Sequence, residues 1–291
     1  MKTNRFERII AEKTGEVDRY LEKNMISSDT YPPIVHEAMR YSLFAGGKRI
    51  RPMLCMLTFD TFSGKNKRDL ELTCCALEML HTFSLIHDDL PCMDDDDFRR
   101  GIPTSHKRFG EATAVLAGDA LCIYAFELLG QVNTPGIVTE TAQALGTRGM
   151  IGGQVVDIES ECKPVSGETL EYIHNHKTGA LIKTSLRLGA RIAGAAENEL
   201  EHISGFGARL GLLFQIVDDI LDVISTTEKL GKDAGSDQAL GKATYPALFG
   251  LEKSREIAVE HSKKCKQELK QLPQDTLLLE KFTDYILDRS H

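Results

Sequence analysis

Apolar positions recur along this chain at spacings of three and four residues, and no run alternates with the period of two expected of a half-buried strand. The pattern predicts an amphipathic helix over residues 4–25, broken at 27–33, and a second helix ending at Gly46-Gly47. Helix resumes at Pro52 as far as Phe62, and a long helix covers 69–90. The polar, charged stretch 91–105 predicts a loop. Further helices are expected over 112–129, 135–157, 166–174, 178–193 and 197–224, with helices again at the end of the chain. The Gly- and Lys-rich stretch 225–244 predicts a loop. No proline- or serine-rich linker divides the 291 residues, so the expectation is an all-α fold in a single domain over 1–291. Gly149, Gly152 and Gly153 cost about 1 kcal/mol each inside a helical pattern, which points to a close helix approach or a kink.

Two acidic clusters interrupt this pattern. Asp88-Asp89-Leu90-Pro91-Cys92-Met93-Asp94 follows the apolar run Phe83-Ser84-Leu85-Ile86, and Asp218-Asp219-Ile220-Leu221-Asp222 follows a run from Leu212 to Val217. Carboxylates at the ends of core helices repel one another and resist desolvation, so positive charge must answer them. Hard divalent cations with oxygen ligands suit that role. If the clusters face each other across a cavity, they form a cage for several Mg²⁺ ions and a bridging polyphosphate. Asp218 and Asp222, four apart, share a helix face with Cβ atoms roughly 6 Å apart, while Asp219 points away by about 100°. Asp88 and Asp94 are six apart, roughly 120° out of alignment on an ideal helix. Pro91 lies between them, so the extra residues form a bulge carrying Asp94 back toward Asp88. Asp95, Asp96 and Asp97 read as a solvated loop.

Composition narrows the class. At 42% hydrophobic and 27% charged this is an ordinary globular chain, and a net charge of −8 gives no electrostatic case for nucleic acid or an anionic membrane. No apolar run reaches the ~20 residues of a bilayer span, and residues 1–8 lack a signal-peptide core, so no stable membrane insertion is expected. Seven cysteines without metal-type spacing read as reduced thiols of a cytoplasmic protein.

Cations stand near the acids. Lys48-Arg49-Ile50-Arg51 follows Gly46-Gly47, where backbone amides and side chains can converge on a phosphate. Arg99-Arg100 follows the first cluster, and His176-Lys177-Thr178-Gly179 and Gly231-Lys232-Asp233 add cations near helix ends. Each alone reads as ordinary surface or, for Arg99-Arg100, as salt bridges to the neighbouring aspartates. Together with the acids they imply two diphosphates, one held through metal and one held directly by Lys and Arg.

The motifs Ser84-Leu85-Ile86-His87-Asp88-Asp89-Leu90-Pro91 with Arg99-Arg100-Gly101, and Phe214-Gln215-Ile216-Val217-Asp218-Asp219-Ile220-Leu221-Asp222, resemble the two aspartate-rich motifs of the trans-isoprenyl diphosphate synthases. The likeness runs from Phe44-Ala45-Gly46-Gly47-Lys48-Arg49-Ile50-Arg51-Pro52 to Gly241-Lys242-Ala243-Thr244-Tyr245-Pro246 and is strongest to bacterial farnesyl diphosphate synthases. Ile102 departs from the family, which usually places a basic residue before Pro103.

The resemblance implies the isoprenoid synthase helical bundle around a central cavity, and head-to-tail condensation of isopentenyl diphosphate with an allylic diphosphate. It implies that Asp88, Asp94 and Asp218, with Asp89 and Asp222 assisting, hold about three Mg²⁺ ions on the allylic diphosphate. Arg99, Lys177 and Lys232 would add charge to the same leaving group. Isopentenyl diphosphate would bind metal-free to Lys48, Arg51, His81 and Arg100, while Gln215 and Thr178 would line the reacting carbons. The released diphosphate is the better candidate for the final base. A homodimer through the helix 112–129 is expected.

Product length should be set below Asp88, at Phe83 and Ser84, five and four residues back or roughly 6–8 Å along the helix. An aromatic at Phe83 favours the C15 product, farnesyl diphosphate, with a geranylgeranyl diphosphate synthase as the alternative. A non-catalytic helical partner subunit is a further alternative, which the intact aspartate motifs disfavour. A terpene cyclase is disfavoured by the cations for a second diphosphate.

Overall fold

The computed structural model of the chain describes residues 5–224 and 242–289. Contacts divide it into two compact units, one of Met1–Met56 and Asn66–Pro135 (unit 1), the other of Leu57–Lys65 and Gly136–His291 (unit 2).

Unit 1 contains α1 (Arg5–Asn24), α2 (Pro33–Leu43), the start of α3 (Ile50–Thr61), α4 (Lys67–Asp88), α5 (Ser105–Phe109) and α6 (Glu111–Leu129). Its axis is α4, buried along almost its whole length and packed on α6, α1 and α2. Asn66 caps α4 by accepting the Asp69 N–H at 3.2 Å. Buried Asp69 in turn accepts the Asn133 and Thr134 N–H groups, both at 3.1 Å, and so fixes the chain leaving α6. Gly118 lets α6 approach α4, since a Cβ there would lie 2.3 Å from His87 Nε2. One element was not expected: an antiparallel ribbon of β1 (Phe98–Arg99) and β2 (Ile102–Pro103), pairing Arg99 with Ile102. Its turn residues, Arg100 and Gly101, both have positive φ, 54° and 78°, which is the requirement of a tight two-residue hairpin.

Unit 2 contains α7 (Ile137–Leu145), α8 (Met150–Ser160), α9 (Gly167–Ile173), a π-helical turn (His174–Gly179), α10 (Ala180–Ile192), α11 (Glu197–Ile224), α12 (Tyr245–Phe249), α13 (Leu251–Leu269) and α14 (Leu277–Asp288). The central α11 packs on α10, α13, α14 and the π turn. The helix expected over 135–157 is instead two helices with a break at 146–149. Gly153 explains the close approach foreseen there: a Cβ would meet the Lys177 backbone nitrogen at 2.2 Å, so α8 lies directly on the π turn.

The fold is all-α apart from the two-residue strands, as the periodicity predicts. The 19 residues of α6 are long and apolar enough to cross a bilayer by length and composition, although none was expected to be. Core helices of globular proteins pass the same test, and α6 packs on α4, α2 and α5. All seven cysteines are free thiols, and burial pushes Cys75 and Cys265 up to about 12.

Candidate active site

In unit 1, α4 ends at Asp88 and the bulge forms as the spacing suggested. The Asp94 N–H donates to the Asp88 carbonyl at 2.9 Å, and the Asp95 N–H to the Leu90 carbonyl at 3.1 Å. Asp88 and Asp94 are half-buried at this turn, whereas Asp89 is buried and paired with Arg99 Nε at 2.5 Å. Burial pushes the Asp89 carboxyl up to about 7 against the pull of Arg99, and the same pair holds the Arg99 guanidinium charged. Arg99 also reaches Asp96 at 2.9 Å, so Asp96 belongs to a salt bridge rather than a free solvated loop. Asp89 anchors Arg99 through Oδ1.

The basic turn splits in two. Arg49, with φ of 49°, is buried and donates to Glu78 and Asp18, both at 2.9 Å. Lys48 remains exposed and Arg51 half-buried. The ribbon turn brings Arg100 over Gly47, where a Cβ would sit 3.0 Å from the guanidinium carbon, and within 3.5 Å of Glu78. Burial, and then Arg51, Arg100, Arg99 and Arg49, hold His81 well below the usual imidazole range. The structure therefore gathers Arg51, His81 and Arg100, with a neutral imidazole among cations. That arrangement suits a diphosphate oxygen as acceptor. Glu78, a carboxylate three residues before His81 on the same helix, was missed from the sequence; its position inside an apolar run was the available signal.

Phe83 and Ser84 lie on different stripes of α4. The Phe83 ring meets His87 edge-on, with centroids 5.6 Å apart, and His87 Nε2 lies 3.1 Å from the Val115 carbonyl of α6. Ser84 falls on the stripe of His81 and Asp88, and its hydroxyl donates to the His81 carbonyl at 2.8 Å.

In unit 2, Asp218 is half-buried and Asp222 buried, while Asp219 turns away from them as the helical angle predicts. Asp219 accepts the Tyr245 N–H at 2.9 Å and lies 3.0 Å from His174 Nε2. The His174 ring stacks on Tyr245. Asp219 thus ties α11 to the π turn carrying Lys177 and Thr178, and to the start of α12. Lys177 Nζ reaches Asp157 of α8 at 2.6 Å, and Arg289, just past the end of α14, reaches Asp218 at 3.3 Å while standing over the Phe214 ring. Gln215 is half-buried one turn before Asp219 on α11. His174, Asp157, Tyr245 and Arg289 carried no local signal, because their partners are remote in sequence. Lys232 lies outside the described residues, as does most of the expected loop 225–244.

Among the described residues no three His, Cys, Asp or Glu side chains gather into a ready-made metal site. That fits Mg²⁺, which is ordinarily held by one or two carboxylates together with substrate phosphate oxygens rather than by an all-protein cage. The oxygen-only side chains of Asp88, Asp94, Asp218 and Asp222 have the right chemistry for it.

The polyprenyl synthetase family matches residues 32–279. The chain belongs to that family. It is 49% identical over 272 residues to a chloroplastic geranylgeranyl pyrophosphate synthase of Capsicum annuum, covering 91% of this chain and 73% of the relative. An FPP/GFPP synthase from Zymomonas mobilis superposes with a TM-score of 0.86 at 33% identity, over 97% of this chain and 98% of that one. A geranyltransferase from Helicobacter pylori, complexed with magnesium and isoprenyl diphosphate, superposes with a TM-score of 0.84 at 32% identity, over 99% and 98% of the two chains. The fold is accordingly that of the isoprenoid synthases, and the chain is a prenyltransferase of isoprenoid biosynthesis that elongates prenyl diphosphates.

Proposed function

We propose that this polyprenyl synthetase condenses isopentenyl diphosphate with allylic diphosphates up to geranylgeranyl diphosphate, and that residues 1–291 act as one catalytic domain. The observation that carries the C20 reading is the small Ser84 on the Asp88 stripe of α4, with the Phe83 ring turned onto His87 of a different stripe. The name of the Capsicum annuum relative, at 49% identity, supports it over the C15 product first favoured by the aromatic at Phe83. In this reading Asp88, Asp94, Asp218 and Asp222 hold the metal, with Asp89 and Arg99 as a fixed ion pair beside them. When bound, magnesium offsets the negative charge that builds on the departing allylic diphosphate. Arg99 and Lys177 add fixed positive charge, and Gln215 and Thr178 direct side-chain oxygens at the reacting carbons.

The test is product analysis after incubation with Mg²⁺, isopentenyl diphosphate and each allylic diphosphate. A main C20 product is expected, and Ser84→Phe should shorten it to C15 or below. A wild-type product that stops at C15 would return the ruler to Phe83.

Isopentenyl diphosphate is assigned to Lys48, Arg51, His81 and Arg100. Arg51→Ala removes a charge-assisted contact worth about 1.5–3 kcal/mol, so its KM should rise roughly ten- to hundredfold. The KM for the allylic substrate should move far less. Equal effects on both would place Arg51 in the other pocket.

We also propose a homodimer through α6, on which Leu116 and Ile123 are 59% and 69% exposed. Sedimentation at micromolar concentration should give a dimer, and Ile123→Glu should shift it to monomer. A wild-type chain that sediments as a monomer would refute the assignment.

A further inference from the structure

Along α10 in unit 2 runs an open cavity of about 830 Å³ that none of the residues assigned to the reaction lines, although His176 and Gly179 on its wall adjoin Lys177 and Thr178. Its size falls in the range of about 300–1,000 Å³ usual for small-molecule sites. Four cations line it, Arg148, Lys183, Arg187 and Arg191, against the single carboxylate Glu140, in a chain whose net charge is −8. Lys183, Arg187 and Arg191 repeat every four residues on one helix face, a spacing at which like charges destabilise a helix. Glu140 answers two of them, pairing with Arg187 and lying 3.2 Å from Arg191 Nε. Arg187 is further fixed through the Leu200 carbonyl at 3.2 Å and the Ser204 hydroxyl. Lys183, half-buried in α10, and Arg148, exposed just before α8, have no ion pair among the described residues.

We propose that this cavity is a second, non-catalytic binding site for a diphosphate group. The stripe from Lys183 to Arg191 extends about 12 Å, so one monoanion cannot answer it, whereas a diphosphate carries linked anionic groups that span neighbouring cations. Guanidinium forks match phosphate oxygens bidentately, and Lys183 supplies a compact point charge one helical turn before Arg187. Ala144, Ala180 and Ala208 leave the intervening wall apolar, with room for a hydrocarbon tail. The chemistry is shared by free diphosphate and by the headgroup of a prenyl diphosphate.

The chain contains no tryptophan, so Thr139→Trp places a single fluorophore on the cavity wall. In EDTA, titration of the full chain with inorganic diphosphate should give a saturable emission change. Arg148→Gln should raise its midpoint at least threefold, and the double change with Lys183→Gln at least tenfold. Circular dichroism should stay unchanged, because neither side chain holds a partner among the described residues. Arg51→Ala, in the reaction pocket, should leave the midpoint where it was. Farnesyl diphosphate saturating at a tenfold lower concentration would assign the site to prenyl diphosphates, and equal midpoints would assign it to free diphosphate. No saturable change, an equal response to sulfate at matched ionic strength, a midpoint insensitive to Arg148→Gln, or loss of the response in Arg51→Ala would each overturn the proposal.

Discussion

Asp88→Ala and Asp218→Ala should each lower turnover about a thousandfold or more while leaving the protein folded. Each change deletes an oxygen proposed to hold the ions that stabilise the leaving diphosphate, and about 4 kcal/mol lost from the transition state corresponds to that factor. Neither removal opens a core cavity: both carboxylates are half-buried, unlike Asp89 and Asp222. Thermal midpoints should hold or rise slightly at Asp88, where one of several crowded carboxylates is lost. Asp218→Ala also frees Arg289, which keeps its place over the Phe214 ring. Titration of Mg²⁺ at saturating substrate gives the readout: excess metal should not restore turnover. Near-normal activity in either variant would remove that aspartate from the metal-binding set.

The aspartates were legible in the sequence because their signal is local. Six residues from Asp88 to Asp94 with Pro91 between them demand a bulge, and the Asp94 N–H to Asp88 carbonyl bond closes it. Four residues from Asp218 to Asp222 likewise fix a shared face, and the same geometry turns Asp219 aside. What neutralises these groups was not legible. Asp89 is held by Arg99, Asp218 by Arg289 and Asp219 by His174 and the Tyr245 amide, and tertiary packing alone makes these pairs neighbours. The sequence required positive charge beside the acids and offered metal; the structure answers a large part of that requirement with protein groups. The ribbon at Phe98–Pro103 was missed because two residues per strand are too few to establish a period. The two helices around the break at 146–149 were drawn as one because apolar spacing continues across it while two glycines, Gly146 and Gly149, interrupt only the backbone.

Glu78→Ala should be the most destabilising single change in unit 1, by about 3–5 kcal/mol. The Glu78 side chain is 1% exposed, and one oxygen, Oε1, accepts from Arg49 at 2.9 Å and faces Arg100 at 3.5 Å. Arg49 is itself buried, so removing the carboxylate leaves a desolvated guanidinium paired with Asp18 and a second guanidinium facing it. Burial and the Arg49 and Arg99 charges already bring Arg100 below its usual range, which Glu78 opposes, so this arrangement depends on one carboxylate. Glu78→Gln keeps the acceptor oxygen and should recover part of the loss. Glu260→Ala, which breaks an exposed helix pair with Lys264, should change nothing measurable and serves as the control. Thermal and urea melts give the comparison. Kinetics on Glu78→Gln separate fold from function: freeing Arg100 should raise the KM for isopentenyl diphosphate with little change for the allylic substrate. A Glu78→Ala protein that melts with the wild type would mean that solvent reaches Arg49 and Arg100 and compensates them, and the convergence of charge on His81 would then need another cause.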